Sequence, residues 1–410
     1  MPDGFDRTLP MLVVRIGHYP LHAGTLGAIR TMGRVGVPTY SMVEDRFTPA
    51  ALSRYSTGHF VVRTRGTERE DELVAVLGAL GRRIATPTMA LPTDDEAAIL
   101  VAEHAADLAP WFVSPGIDPS LARRLASKRG LFEACTEFGI PTPAASFPTT
   151  LAEVDAFAAT STFPVIVKNL AAFDRLRAPV VGGTMIVRNA AALHALAADW
   201  PPDFSALLQE YLPDAVSQDW IFQGYFDAAS RPLVTFTARK WRSWPPHAGP
   251  TTCAVSAPND EITELAVGLC RDLGYRGIVD LDWRLDQRDG RYKLLDFNPR
   301  VGSQFRLFET TAGIDVVRAQ HLDLSGRDVP TGAQVDGRRF VLDHLDPPAR
   351  WAYRGTPTSG AATPRHTRRE AAFWASDDPL PFAAMAVRFA GPAAQRLVRL
   401  GATRVTNRQT

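Results

Sequence analysis

The run Leu295-Asp296-Phe297-Asn298-Pro299-Arg300 spaces a carboxylate, an amide oxygen and a guanidinium at every second residue, and Asp282 lies upstream. Strand alternation sends Asp296, Asn298 and Arg300 to one face, with Leu295 and Phe297 on the other, so the polar trio lines a cleft. The run Gly277 to Leu285 alternates, Asp286-Gln287-Arg288-Asp289-Gly290 carries an Asp-Gly turn, and Tyr292 to Asp296 resumes as a strand. That pattern is a hairpin in which Asp282 and Asp296 face each other. Magnesium takes a near-octahedral set of oxygens, commonly one or two carboxylates completed by nucleotide phosphates and water. The inventory suits a nucleotide-metal site, although a hairpin with a solvated acidic face uses the same residues.

Cations and flexible backbone recur elsewhere. Lys168 ends the apolar run Phe163 to Lys168, and Lys128 opens a helix that Ser127 can cap. Either lysine alone reads more readily as a snorkelling surface charge. Gly182-Gly183-Thr184 lets backbone amides approach phosphate oxygens, or simply makes a turn. Gln209-Glu210-Tyr211-Leu212-Pro213 ends a strand at a proline, leaving spare backbone groups that could read adenine or merely a surface glutamate at a strand terminus. Asp219 is a candidate acceptor for ribose hydroxyls. Arg239, Lys240 and Arg242 cluster beside Trp241 and Trp244, as a solvated rim or an anion clamp. There is no convincing Ser-His-Asp or Cys-His arrangement, so a protein nucleophile is not expected.

The elements that must position these groups change character along the chain. Residues 11 to about 118 alternate short apolar strands with helical patterns, which implies a parallel sheet with Rossmann-like winding. The segment after the first strand is not G-x-G-x-x-G, so a dinucleotide cofactor is not expected there. The pattern then becomes α+β, and residues after about Asp328 turn rich in Pro, Gly, Ser and Thr, especially Asp346 to Pro364. The expected division is 1–120, 121–205, 206–327 and a C-terminal extension over 328–410. Its helical tail, about Phe382 to Leu400, interleaves apolar residues with arginine and either docks on its own domain or, as the lesser alternative, lies on a membrane surface.

At 410 residues and 45% hydrophobic content the chain can bury two or three cores. Its 45 basic and 44 acidic residues give a net charge of +1, which argues against nucleic acid as a partner. Three scattered cysteines fit a reducing compartment, so a cytoplasmic location is expected. No stretch approaches the length of a membrane-spanning helix, and the N-terminus lacks the basic and apolar regions of an export signal.

In combination and order these residues resemble the ATP-grasp superfamily over residues 11 to about 320. Within it they look most like predicted carboxylate-amine ligases of the D-aspartate ligase type, through Gly36-Val37-Pro38, Asp45, Ala51 to Tyr55, Lys128, Gly139 to Pro143, Phe163 to Lys168, Gln209-Glu210-Tyr211 and Asp296 to Arg300. The resemblance implies two α+β subdomains holding ATP between them behind the Rossmann-like domain. It implies that Lys128 and Lys168 bind phosphates under a mobile loop containing Gly182, Gly183 and Thr184. Glu210, Tyr211 and Leu212 become the adenine-contacting segment, and Asp282, Asp296 and Asn298 the magnesium ligands. Arg300 stabilises the transferring phosphoryl group, joined by Lys240 and Arg239 as candidate catalytic cations. Two magnesium ions are expected, with manganese as an alternative. The implied activity is ATP-dependent joining of a small-molecule or peptide carboxylate to an amine, with an amino acid as the expected amine, and a homo-oligomer is compatible. Alternatives are an ATP-binding regulatory or scaffolding protein and an ATP-grasp kinase. The chain departs from the superfamily in carrying Asp where the bridging metal ligand is often Glu, and in a phosphate loop poorer in glycine.

Overall fold

In the computed structural model, which describes residues 4–213, 218–354 and 368–390, three sheets surround a central cleft. The first is parallel, with spatial order Gly58–Val61, Thr39–Val43, Met11–Val14, Thr88–Pro92, Phe112–Val113. Met11–Val14 is buried at every position, as an interior strand of a parallel sheet covered on both faces must be. This is the Rossmann-like winding expected. The chain leaves the central strand toward the sheet edge on one side and returns on the other, so the order reverses beside Met11–Val14. The segments after Val14 and Pro92 therefore flank a crevice at the strands' C-terminal ends.

A four-stranded sheet follows, in the order Ala145–Ser146, Ala206–Glu210, Val165–Asn169, Met185–Val187. Its apolar face packs Val165, Val167 and Leu208 against Val154, Leu193, Trp200 and Phe204. Ala206–Glu210 lies within the range expected for the large subdomain, yet it pairs Gln209 with Ile166 in the small sheet. The chain thus crosses between the two sheets only after Glu210.

The third sheet has seven strands, ordered Arg291–Asn298, Gly277–Asp286, Gln218–Phe226, Pro232–Ser243, Thr251–Ser256, Arg338–Val341, Arg368–Ala371. One face buries Phe222, Leu281, Trp283 and Phe297 against helices Lys128–Glu137 and Asp260–Asp272. The other packs Tyr225 and Phe236 against helices Ala23–Gly33 and Val316–Leu324, joining this sheet to the N-terminal domain.

The last two strands come from the segment expected to be an irregular extension. Arg338 hides the strand pattern because it is buried, its charge met by Glu309 and Glu370, while Phe340 enters the core. Asp346–Ala352 is likewise helical, its prolines sitting in the first turn where no amide hydrogen is needed. The helix over residues 380–390 docks on the body of the protein through buried Met385 and partly buried Phe382, and Arg388 pairs with Asp45. Gly355 to Pro364 and the expected continuation of the tail to Leu400 lie outside the described residues. No described helix is long and apolar enough to cross a membrane.

Candidate active site

The hairpin register sets Asp282 opposite Asp296 and Asp280 opposite Asn298. Beyond that pair the register steps to Trp283 opposite Leu294, leaving Leu295 as the extra residue of a β-bulge. Strict alternation therefore fails at one position. Leu294 and Phe297 enter the core as a strand pattern demands, but Leu295 stays on the cleft wall.

Three lysines from separate elements converge on the two carboxylates. Lys128 Nζ lies 2.5 Å from Asp296 Oδ1, and Lys168 Nζ lies 3.4 Å from Oδ2 of the same group. Lys240 Nζ donates to Asp282 Oδ1 at 2.6 Å. Burial opposes ionisation of Asp296, but the charges of Lys128 and Lys168 outweigh it and hold the carboxyl well below its usual range. Burial also pulls Lys128 down, yet the close Asp296 charge leaves it raised; Lys168, farther from Asp296 and repelled by Lys128, ends lowered. For Lys240 the charge of Asp282 overcomes burial, and its ammonium is held more tightly than usual.

Asn298 donates Nδ2–H to the Asp280 carbonyl at 3.0 Å, which turns its Oδ1 toward Arg300 Nη2 at 2.9 Å. Arg300 also donates Nε–H to Asp95 Oδ1 at 2.9 Å, across the boundary with the N-terminal domain. Lys240, Asp280, Asp282, Asp296, Asn298 and Arg300 line a cleft, and Lys168, Thr184 and Asp219 line an adjoining one that shares Lys240, Asp282 and Asp296 with it.

The loop after Lys168 is tied at its base and open to solvent at its tip. Asn169 donates to the Val181 carbonyl at 2.7 Å and accepts from the Val180 amide at 2.8 Å. Gly182 and Gly183 are exposed, and a Cβ at either would meet nothing within 4 Å. Glu210 sits where the chain leaves the small sheet, accepting from the Ala144 amide at 3.0 Å and from Arg288 and Lys293 at 3.0 and 3.3 Å. The following Leu212 is buried, and its carbonyl accepts from Arg284 at 3.1 Å. Arg284 also holds Asp219 with two bonds, so that carboxylate lines the cavity already engaged.

Arg239 is not brought to this cleft. It pairs with Trp220 while Lys240 pairs with Asp219, so alternation puts the two cations on opposite faces, and Arg239 stacks on Trp241 at 4.9 Å. Arg242 is engaged by Asp346 through two bonds.

Several residues of the site escaped the reading of the sequence. Asp280, two positions before Asp282 on the same face, accepts from Gln223 and Gln304 at 2.9 and 3.0 Å. Burial, reinforced by the Asp282 charge, raises its carboxyl to about 6. Alternation through Asp280-Leu281-Asp282 was the available signal. His22 caps helix Ala23–Gly33 by accepting the Thr25 amide hydrogen on Nδ1, which leaves the ring hydrogen on Nε2 to reach Ser303 Oγ at 2.9 Å. No local pattern announces that pair.

Among the described residues, no three His, Cys, Asp or Glu side chains form a self-sufficient metal site. Two opposed carboxylates and one oriented amide oxygen nevertheless suit a magnesium ion whose remaining ligands come from nucleotide phosphates and water.

Residues 248–325, which contain the acidic hairpin and Arg300, match the family described as the carbamoyl-phosphate synthase L chain, ATP binding domain. D-aspartate ligase of Enterococcus faecium (strain Aus0004) is 24% identical over 239 residues. That match covers 55% of this chain and 55% of the relative, about half the length of each. N5-carboxyaminoimidazole synthetase from Staphylococcus aureus, solved with ADP, superposes with a TM-score of 0.60 at 10% identity over 82% of this chain and 83% of that one. L-amino acid ligase from Bacillus licheniformis gives 0.58 at 15% identity over 78% and 75%. At such identities the superpositions establish the fold.

Proposed function

We propose that this chain, which has the fold of ATP-grasp proteins, joins a carboxylate to an amine, converting ATP to ADP and phosphate through an acyl-phosphate. The observation that carries this reading is the convergence of Lys128, Lys168 and Lys240 on the facing pair Asp282 and Asp296, with Arg300 beside them at Asn298 and Asp280. A substrate carboxylate attacking the γ-phosphate brings two anions together. At about 4 Å unit charges repel by about 4 kcal/mol at an effective dielectric near 20, so the site must supply cations. Lys128 and Lys168 would exchange their carboxylate partner for phosphate oxygens, while Arg300 faces the transferring group. Asp282, Asp296 and Asn298 would hold magnesium, two ions in the full site, which neutralises phosphate charge and aligns the transfer.

The loop of Gly182, Gly183 and Thr184 would close over the phosphates and keep water from the acyl-phosphate until the amine attacks. Glu210, Tyr211 and Leu212 would border the adenine, and Asp219 the ribose. The relative that joins D-aspartate and the structural neighbour that acts on L-amino acids favour an amino acid as one substrate. Three buried free cysteines are compatible with a cytoplasmic setting.

The test is release of ADP and phosphate with a panel of carboxylates and amino acids. Release that requires both substrates together supports the ligase reading. A stable phosphorylated product would make the chain a kinase, and tight ATP binding without turnover would make it a binding protein.

A further inference from the structure

Arg300 is the cleft cation least fixed by its own element, because it follows Pro299 beyond the end of strand Arg291–Asn298. A long, rotamer-rich side chain at such a place needs outside support to keep one orientation. That support comes from the N-terminal domain. Asp95 opens helix Asp95–Glu103 at the crevice where the parallel strand order reverses, and its Oδ1 takes the Arg300 Nε–H. The guanidinium edge carrying Nη2 then meets Asn298, and Nη1 lies 3.8 Å from Asp280.

The mount beneath Asp95 is stiff on both sides. Asp94 caps the helix by accepting the Ala97 amide hydrogen, and its other oxygen accepts from the Ile16 and Gly17 amides at 3.0 and 2.7 Å. Glu96 has no exposed side-chain surface and holds Arg175 with two bonds of 2.9 and 2.7 Å. Arg175 belongs to the segment following Lys168, and the adjacent Ala172 and Phe173 are buried in the N-terminal core. An acidic residue in a first helical turn is ordinarily satisfied by the helix dipole. Here Asp94 already supplies the cap, and the Asp95 carboxylate is directed to a residue of another domain.

We propose that Asp95 is a positioning residue, through which the N-terminal domain fixes the Arg300 guanidinium for phosphoryl transfer. The role rests on the ligase reading for its chemistry, but the orientation it describes does not. Asp95→Ala, Arg300→Lys and the double variant would be compared for kcat, ATP KM, MgADP binding and thermal stability, with a crystal structure of Asp95→Ala.

Asp95→Ala is expected to lower kcat by about 10- to 100-fold, the range for a misaligned catalytic group, while ATP KM and MgADP affinity change by less than about threefold. In the Arg300→Lys background, which lacks Nε, the same substitution should lower kcat by less than about twofold more. The crystal structure should show the guanidinium displaced. Wild-type kcat in Asp95→Ala, losses that multiply in the double variant, or an undisturbed guanidinium would each overturn the proposal. If Asp95→Ala folds poorly, Asp95→Asn, which keeps the volume without the charge, carries the same cycle. Absence of ADP release by the wild type with any carboxylate and amine would defeat the ligase reading, and the guanidinium position would still decide whether Asp95 holds Arg300.

Discussion

Asp282 and Asp296 stand directly opposite one another on adjacent antiparallel strands, and each is met by a lysine from a different element. Facing like charges destabilise a sheet. Lys240 from the neighbouring part of the same sheet, Lys128 from a helix start and Lys168 from the small sheet offset that repulsion. The arrangement ties the three parts of the cleft to one pair of carboxylates.

Replacing Asp296 by Asn keeps the volume and removes the charge that both Lys128 and Lys168 address. ATP-dependent turnover should fall by about 10³-fold or more, as for loss of a principal electrostatic element. MgADP binding by calorimetry should weaken strongly while the far-ultraviolet circular dichroism stays that of the wild type. Normal turnover with magnesium would remove Asp296 from the metal set.

Lys240 and Arg239 are neighbours in sequence on opposite faces of the sheet. Lys240→Met should lower kcat by about 10²-fold, since it strips Asp282 of its partner inside the cleft. Arg239→Met should leave kcat within about twofold and act on stability through the lost stack on Trp241. Steady-state assays of both variants check the contrast; equal losses would put Arg239 in the site.

Two glycines make opposite predictions. A Cβ at Gly249 would lie 1.9 Å from the Trp244 carbonyl oxygen, whereas one at Gly183 meets nothing within 4 Å. Gly249→Ala should destabilise by about 1–3 kcal/mol in urea unfolding. Gly183→Ala should cost no more than about 0.5 kcal/mol, so any loss of kcat there reports a contact made when the loop closes.

His344 is buried against the edges of Phe373 and Phe389, and burial lowers its pKa from 6.5 to about 4. Below the unfolded value the unfolded chain binds a proton that the folded one refuses, so stability rises with pH across this window and is lost as pH falls from about 6.5 to about 4. The effect is on the order of 3 kcal/mol when fully expressed. Thermal unfolding between pH 7 and 4 should show this component, and His344→Phe should reduce it. An unchanged pH slope in the variant would assign the loss to other groups.

Much of the cluster of facing carboxylates and lysines was legible because its signals are local. Asp282, Asp296 and Asn298 follow from strand alternation and an Asp-Gly turn, and Lys128 from its place behind the capping Ser127. The misplacement of Leu295 shows the limit, since one bulged residue shifts the face without altering the pattern of types. Asp95 and His22 were not legible, because each acts on a residue hundreds of positions away, and only the packing of the N-terminal domain on the cleft joins them. Arg338–Val341 hid its strand because two adjacent arginines mask the alternation, and the buried one, Arg338, has its charge met by Glu309 and Glu370.

The central claim is that a carboxylate is activated as an acyl-phosphate in this cleft, and hydroxylamine trapping reads that step without knowledge of the natural amine. With magnesium, ATP and a panel of amino acids and other small carboxylates, wild-type protein should form a hydroxamate in step with ADP release, and Asp296→Asn should form none. Tight ATP binding with no hydroxamate from any carboxylate, or a hydroxamate yield unchanged in Asp296→Asn, would contradict the account.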